Sequence, residues 1–158
     1  MIVAVVMLAV FLSGCIQSDI TNINEMAISV NNHIKKGDEY YNQSATDVNK
    51  MLLQQALSEC NNASNEYSQA QTSAQSAYNS AKNANDGVYM EYLQNVLNEI
   101  QAKLNATSEL KTAINLLQTN ETSSGNMHLQ EANDYMDKAL QYKKNREDIV
   151  RLNPAKFK

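Results

Sequence analysis

Apolar positions recur along this chain at alternating intervals of three and four, the spacing that lines one face of an α-helix. Ile20, Ile23, Ala27, Val30 and Ile34 predict an amphipathic helix over about 19–36. From Asp38, the series Tyr41, Ala45, Val48, Leu52, Ala56, Cys60, Ala63, Tyr67, Ala70, Ala74, Ala77, Ala81 and Ala84 predicts a second, over 38–86. Its rhythm slips between Val48 and Cys60, where three steps of four follow one another, the mark of a stutter in a heptad repeat. Tyr89, Leu93, Val96, Ile100, Lys103, Thr107, Leu110, Ile114 and Leu117 continue the period over 88–118. The polar stretch TNETSSGN, residues 119–126, reads as a loop in which Ser123 or Ser124 can cap the helix that follows. That last helix, 125–151, carries Met127, Leu129, Ala132, Tyr135, Met136, Ala139, Leu140 and Tyr142 and must stop before Pro154.

Short connections at Gly37 and Gly87 require antiparallel neighbours, so the expected class is all-α: an elongated antiparallel bundle of coiled-coil-like hairpins. A single helix over 38–86 would reach ~73 Å at ~1.5 Å per residue. Its partners are shorter, which predicts three helices packed over one part of a rod and a helix hairpin extending it. A break near Asn61-Asn62 would instead give five helices in a thicker bundle. The alanines from Ala63 to Ala84 allow close helix approach, with Leu93, Val96, Ile100 and Leu104 as the large residues that fill the groove.

The N-terminus is different in kind. Residues 2–12 (IVAVVMLAVFL) are continuously apolar. At about 11 residues they fall short of the ~20 needed to cross a hydrocarbon core, but match a signal-peptide h-region. The run ends in the small residues Ser13 and Gly14, and Leu12-Ser13-Gly14-Cys15 resembles the lipobox of prokaryotic lipoproteins, bacterial or archaeal. The resemblance covers residues 1–15 and implies diacylglyceryl transfer to the Cys15 thiol and cleavage between Gly14 and Cys15. Two acyl chains would then hold the protein stably at the extracytoplasmic face of the membrane. On this reading 1–14 is a signal peptide, 15–18 a short tether, 19–151 the helical bundle and 152–158 a basic tail. No Lys or Arg precedes the apolar run, a departure that a start further upstream would explain.

Composition narrows the chemistry. Asn and Gln together number 33, Trp is absent, Phe occurs twice and Pro once, so strands are poorly provided for and helix breakers are scarce. His33 and His128 are the two histidines; neither reads as followed by a second ligand at helical spacing, and no Glu-x-x-His motif points to a bundle-core metal site. Gly-rich phosphate loops, nucleophile elbows and Cys-x-x-Cys-His are absent, and Gly37, Gly87 and Gly125 are the only glycines after the signal. No enzymatic activity, metal or cofactor beyond the lipid on Cys15 is expected, and no nucleic-acid partner.

Cys60 is left alone once Cys15 is lipidated. It reads as a small buried hydrophobe or, alternatively, as one half of an intermolecular disulfide. Four Asn-x-Ser/Thr sequons, Asn42, Asn62, Asn105 and Asn120, are about the number chance supplies in so Asn-rich a chain; Asn120, in the expected loop, is the best placed for glycosylation. Six of the eight tyrosines (Tyr40, Tyr41, Tyr67, Tyr78, Tyr89, Tyr92) line a ligand groove or sit at core edges with wet hydroxyls. Residues 15–142 hold 7 basic and 15 acidic side chains, against 6 and 2 in 143–158. That basic end solvates a fraying helix, pairs with the acidic body or touches anionic lipid.

The expected function is a non-enzymatic helical scaffold, anchored by its lipid, that engages a protein partner or a second copy of itself. The alternative class is a ligand-binding or sensory bundle serving a membrane complex. A lipid at one end and Lys158 at the other also resembles, remotely, the murein lipoprotein, which is joined to the wall through its C-terminal lysine.

Overall fold

A computed structural model describes the backbone of residues 12–157, with side chains described for Ile23 and from residue 25 onward. Residues 1–11, which hold most of the apolar N-terminal run, and Lys158 lie outside the described residues. Four α-helices follow one another: α1 (Leu12–Asn49), α2 (Leu53–Asn83), α3 (Gly87–Gln118) and α4 (Thr122–Leu152). The fold is all-α. Helix α1 packs on α2, α2 on α3 and α3 on α4, while α1 touches α3 at a few points only. Cross-helix bonds His33 to Glu66 and Ser44 to Ala56, Cys60 to Thr107 and Gln71 to Gln101, and His128 to Glu109 and Arg146 to Glu99 advance along one helix as they retreat along the other, so every neighbouring pair is antiparallel.

The helix boundaries correct the sequence reading in two places. Gly37 does not end a helix, and α1 runs through it from Leu12. A mid-helix glycine costs about 1 kcal/mol against alanine, and here it is used for contact. Three ring atoms of Tyr67 lie within 3.0 Å of where a Cβ on Gly37 would stand, so α1 and α2 approach at a distance no other residue permits. The chain instead turns at Lys50–Leu52, inside the expected 38–86 helix. The predicted rod, three helices plus an extending hairpin, is thereby replaced by four helices of comparable length lying side by side. Nor does α2 break at Asn61-Asn62.

All three turns close in the same way. Leu52 N–H bonds to the Asp47 carbonyl and Met51 N–H to that of Val48. Asp86 with Ala81 and Asn85 with Lys82 repeat the pair, as do Glu121 with Leu116 and Asn120 with Leu117. This is the Schellman closure, whose pivot residue must adopt a left-handed conformation. The pivots are Met51 (φ 58°), Asn85 (φ 52°) and Asn120 (φ 62°), not glycines. Asparagine tolerates that conformation; Met51 adopts it at a steric cost. Asp86 then caps α3 by accepting from the N–H groups of Val88 and Tyr89, both at 3.2 Å. Helix α4 begins at Thr122, so Ser123 and Ser124 lie inside its first turn and do not cap it.

The alanine seam is as expected as far as Ala81, while Ala84 caps the end of α2 and is half-buried. Ala63, Ala70, Ala74, Ala77 and Ala81 are fully buried, against Val96 and Ile100 over one stretch and Tyr89, Leu93 and Ile23 over the next. On α4 the inward positions are mostly small as well, with Gly125, Ala132 and Ala139 buried. Because α4 has one helical neighbour, Met127 and Leu140 remain largely exposed on it.

Candidate functional site

The bundle interior carries an ionic chain that links all four helices. The Glu99 carboxylate, 1% exposed, accepts from Arg146 Nε of α4 at 2.6 Å, and Lys103 Nζ stands 3.9 Å from its other oxygen. Lys103 reaches across to Asp38 of α1 at 2.5 Å, and the Tyr67 hydroxyl of α2 donates to the same Asp38 oxygen at 2.7 Å. Arg146 also touches the Tyr92 hydroxyl at 3.4 Å, while the Lys103 ammonium lies 5.7 Å above the Tyr67 ring. Two carboxylates face two cations, so the chain is neutral as a whole. Burial alone would lower the Arg146 pKa, but Glu99 more than offsets it and holds the guanidinium above its ordinary value. The Tyr67 hydroxyl is pushed far up, by burial first and then by Asp38.

Such a network stabilises little in itself, since desolvation offsets most of the Coulomb gain. Glu99, Lys103, Tyr67 and Arg146 are all at or below 13% side-chain or residue exposure, while Asp38 at the α1 end of the chain is 38% exposed. The sequence signal for it was Lys103, a charge at a core position of the α3 stripe. Asp38, Glu99 and Arg146 bore no such mark.

A narrow cavity of about 150 Å³ opens between α1, α3 and α4, lined by Tyr41, Ala45, Val48, Leu110, Leu129 and Ala132. Ligand sites for small organic molecules run to about 300–1,000 Å³, so this gap is a packing seam by size. The tyrosines do not gather around it. Tyr41, Tyr67 and Tyr89 are buried, Tyr40 is exposed, and Tyr92 serves Arg146.

Cys60 is fully buried on α2 and donates its S–H to the Thr107 carbonyl at 3.2 Å. Burial pushes its pKa up to about 11, and a bridge to a second chain would require α2 to part from α3. The buried-hydrophobe alternative is therefore the one the structure carries. Among the sequons, Asn42 is exposed on α1, Asn62 and Asn105 are half-buried on α2 and α3, and Asn120 is exposed at the α3–α4 turn. Cys15 and Gly14 fall on the first turns of α1, where the backbone alone is described.

The basic tail is docked. Phe157 packs against Tyr89 and Tyr92 with ring centroids 5.0 and 5.1 Å apart, and the Tyr89 hydroxyl donates to the Lys156 carbonyl at 2.6 Å. Lys156 pairs with Asp86 at the start of α3. Of the three expectations for this segment, pairing with the body is what the structure shows for Lys156.

The surroundings of His128 correct the sequence reading. His128 does have a partner at helical spacing, Glu131 three residues on, and α3 brings Glu109 to the same point. The His-x-x-Glu pair was visible; the third member required the fold. His33 pairs with Glu66 across α1 and α2 at 2.6 Å.

No family model, curated protein or solved structure matches this chain. No helix among the described residues is long and apolar enough to cross a membrane.

Proposed function

We propose that the protein is a prokaryotic lipoprotein, anchored through Cys15 at the extracytoplasmic face of the membrane, whose helical bundle is a non-enzymatic scaffold for protein interaction. The observation that carries this reading is Leu12-Ser13-Gly14-Cys15 closing an h-region of about 11 apolar residues. The antiparallel topology adds a direction. The start of α1, the α2–α3 turn and the docked C-terminus share one end of the bundle, so a lipid on Cys15 tethers it by that end. The opposite end, at the α1–α2 and α3–α4 turns, exposes Met51, Leu52 and Met127 at 63%, 43% and 59%. Ile28 and Leu152, at 64% and 69%, are exposed toward the tethered end, and the group at the far end is the one free to meet a protein partner or a second copy. Among the described residues no buried side-chain polar atom lacks a hydrogen-bond partner, which supports a packed scaffold over a ligand-binding bundle.

Membrane fractionation tests the reading. The wild-type chain should sediment with membranes and resist high salt, while Cys15→Ala should lose lipidation and cleavage before residue 15. A wild-type chain recovered soluble and unmodified would remove the proposal.

A further inference from the structure

Near the α3–α4 turn, three side chains that can ligate a metal converge from two helices. His128 and Glu131, at i and i+3, lie on one face of α4, and Glu109 meets them from α3. Their ligand atoms all lie within 4.8 Å of one another, with His128 Nδ1 2.6 Å from Glu109 Oε2 and 3.6 Å from Glu131 Oε2. Among the described residues no Lys or Arg pairs with either carboxylate, in contrast to Glu99 and Asp38, each of which has a cation. Even with the imidazole protonated, the cluster keeps one uncompensated negative charge.

We propose that Glu109, His128 and Glu131 form a surface site for one divalent transition-metal ion of the zinc type, cross-linking α3 to α4. Tetrahedral coordination with bonds of ~2.0–2.2 Å sets ligand atoms ~3.3–3.5 Å apart. The His128–Glu131 pair already stands near that separation. Glu109 must withdraw by under ~1 Å, which a half-exposed carboxylate does by a small torsional change. The donor set selects the ion: one imidazole nitrogen with two carboxylate oxygens suits zinc, whereas calcium and magnesium prefer oxygen alone. With three protein ligands at the surface, the fourth position belongs to water. His33 and Glu66 make the same hydrogen bond without a third ligand in their cluster, and so serve as the internal control.

The test is titration of the chelator-stripped full chain in detergent with zinc chloride alone, read by competition with a chromophoric chelator. One ion per chain is expected. Outer-shell partners alone are worth about 10–100-fold in affinity, so losing a ligand in His128→Asn or Glu131→Gln should weaken binding by about tenfold or more, while His33→Asn leaves it unchanged. Glu131 is 58% exposed, so its variant reads the site without disturbing the fold, as circular dichroism will show. Absence of saturable one-to-one binding, or binding as tight in both His128→Asn and Glu131→Gln as in the wild type, overturns the proposal.

Discussion

Arg146 of α4 meets Glu99 of α3 at 2.6 Å, at a carboxylate with 1% of its surface exposed, and through Lys103 and Asp38 the contact extends to α1. Removing one member of a buried pair strands the other in a medium that solvates it poorly, at about 3–5 kcal/mol, whereas replacing both with apolar residues is often neutral or stabilising. Arg146→Met is therefore expected to lower the urea midpoint strongly, and Glu99→Leu combined with Arg146→Met to recover most of the loss. A double-mutant cycle on urea unfolding measures this; additive losses would show that the two residues do not act together.

Met51 holds a left-handed backbone, with φ 58°, at the pivot of the α1–α2 turn. An L-residue in that region costs about 1–2 kcal/mol, and asparagine, the residue at the other two pivots, tolerates it better. Met51→Asn should raise stability by about 1 kcal/mol, read as a higher unfolding midpoint with an unchanged denaturant slope. The side chain is 63% exposed, so little packing is lost.

Cys60 should be chemically silent. Its thiol is fully buried, bonded to the Thr107 carbonyl and held near pKa 11 by burial. A thiol reagent at neutral pH should label it only in denaturant, and a non-reducing gel should show no reductant-sensitive dimer. Fast labelling of the native protein would contradict the placement of α2 on α3.

The C-terminal clasp has a pH sign. Burial opposes ionisation of Asp86, but the Lys156 ammonium and the N–H groups of Tyr89 and Val88 hold its pKa below the ordinary 3.8. A carboxyl depressed in the folded state contributes stability that is fully present above its unfolded value and is lost as pH falls through the folded one. The Phe157 ring signals should keep their docked shifts from neutral pH down to about 4 and move toward free values only in stronger acid. Asp86→Asn should release them at neutral pH.

Helical period alone made α3 legible to within a residue, because Tyr89 through Leu117 form an unbroken inward stripe. The α1–α2 boundary was hidden, because its pivot is a methionine and the obvious punctuation, Gly37, serves contact with Tyr67. A trace did exist: the steps of four through Val48, Leu52, Ala56 and Cys60 straddle the real turn. The ionic chain was half legible, since Lys103 broke an apolar stripe. Asp38 lies 65 residues from Lys103, and Arg146 lies 47 from Glu99, so only packing could reveal those two contacts. The same holds for Glu109, which joins His128 and Glu131 only once α3 and α4 are laid antiparallel.

The most direct measurement is the mass of the mature N-terminal peptide from the membrane fraction. The expected result is a chain beginning at Cys15 and carrying a thioether-linked diacylglycerol. A chain retaining residues before Cys15, or one beginning there with a free thiol, would contradict the anchored scaffold.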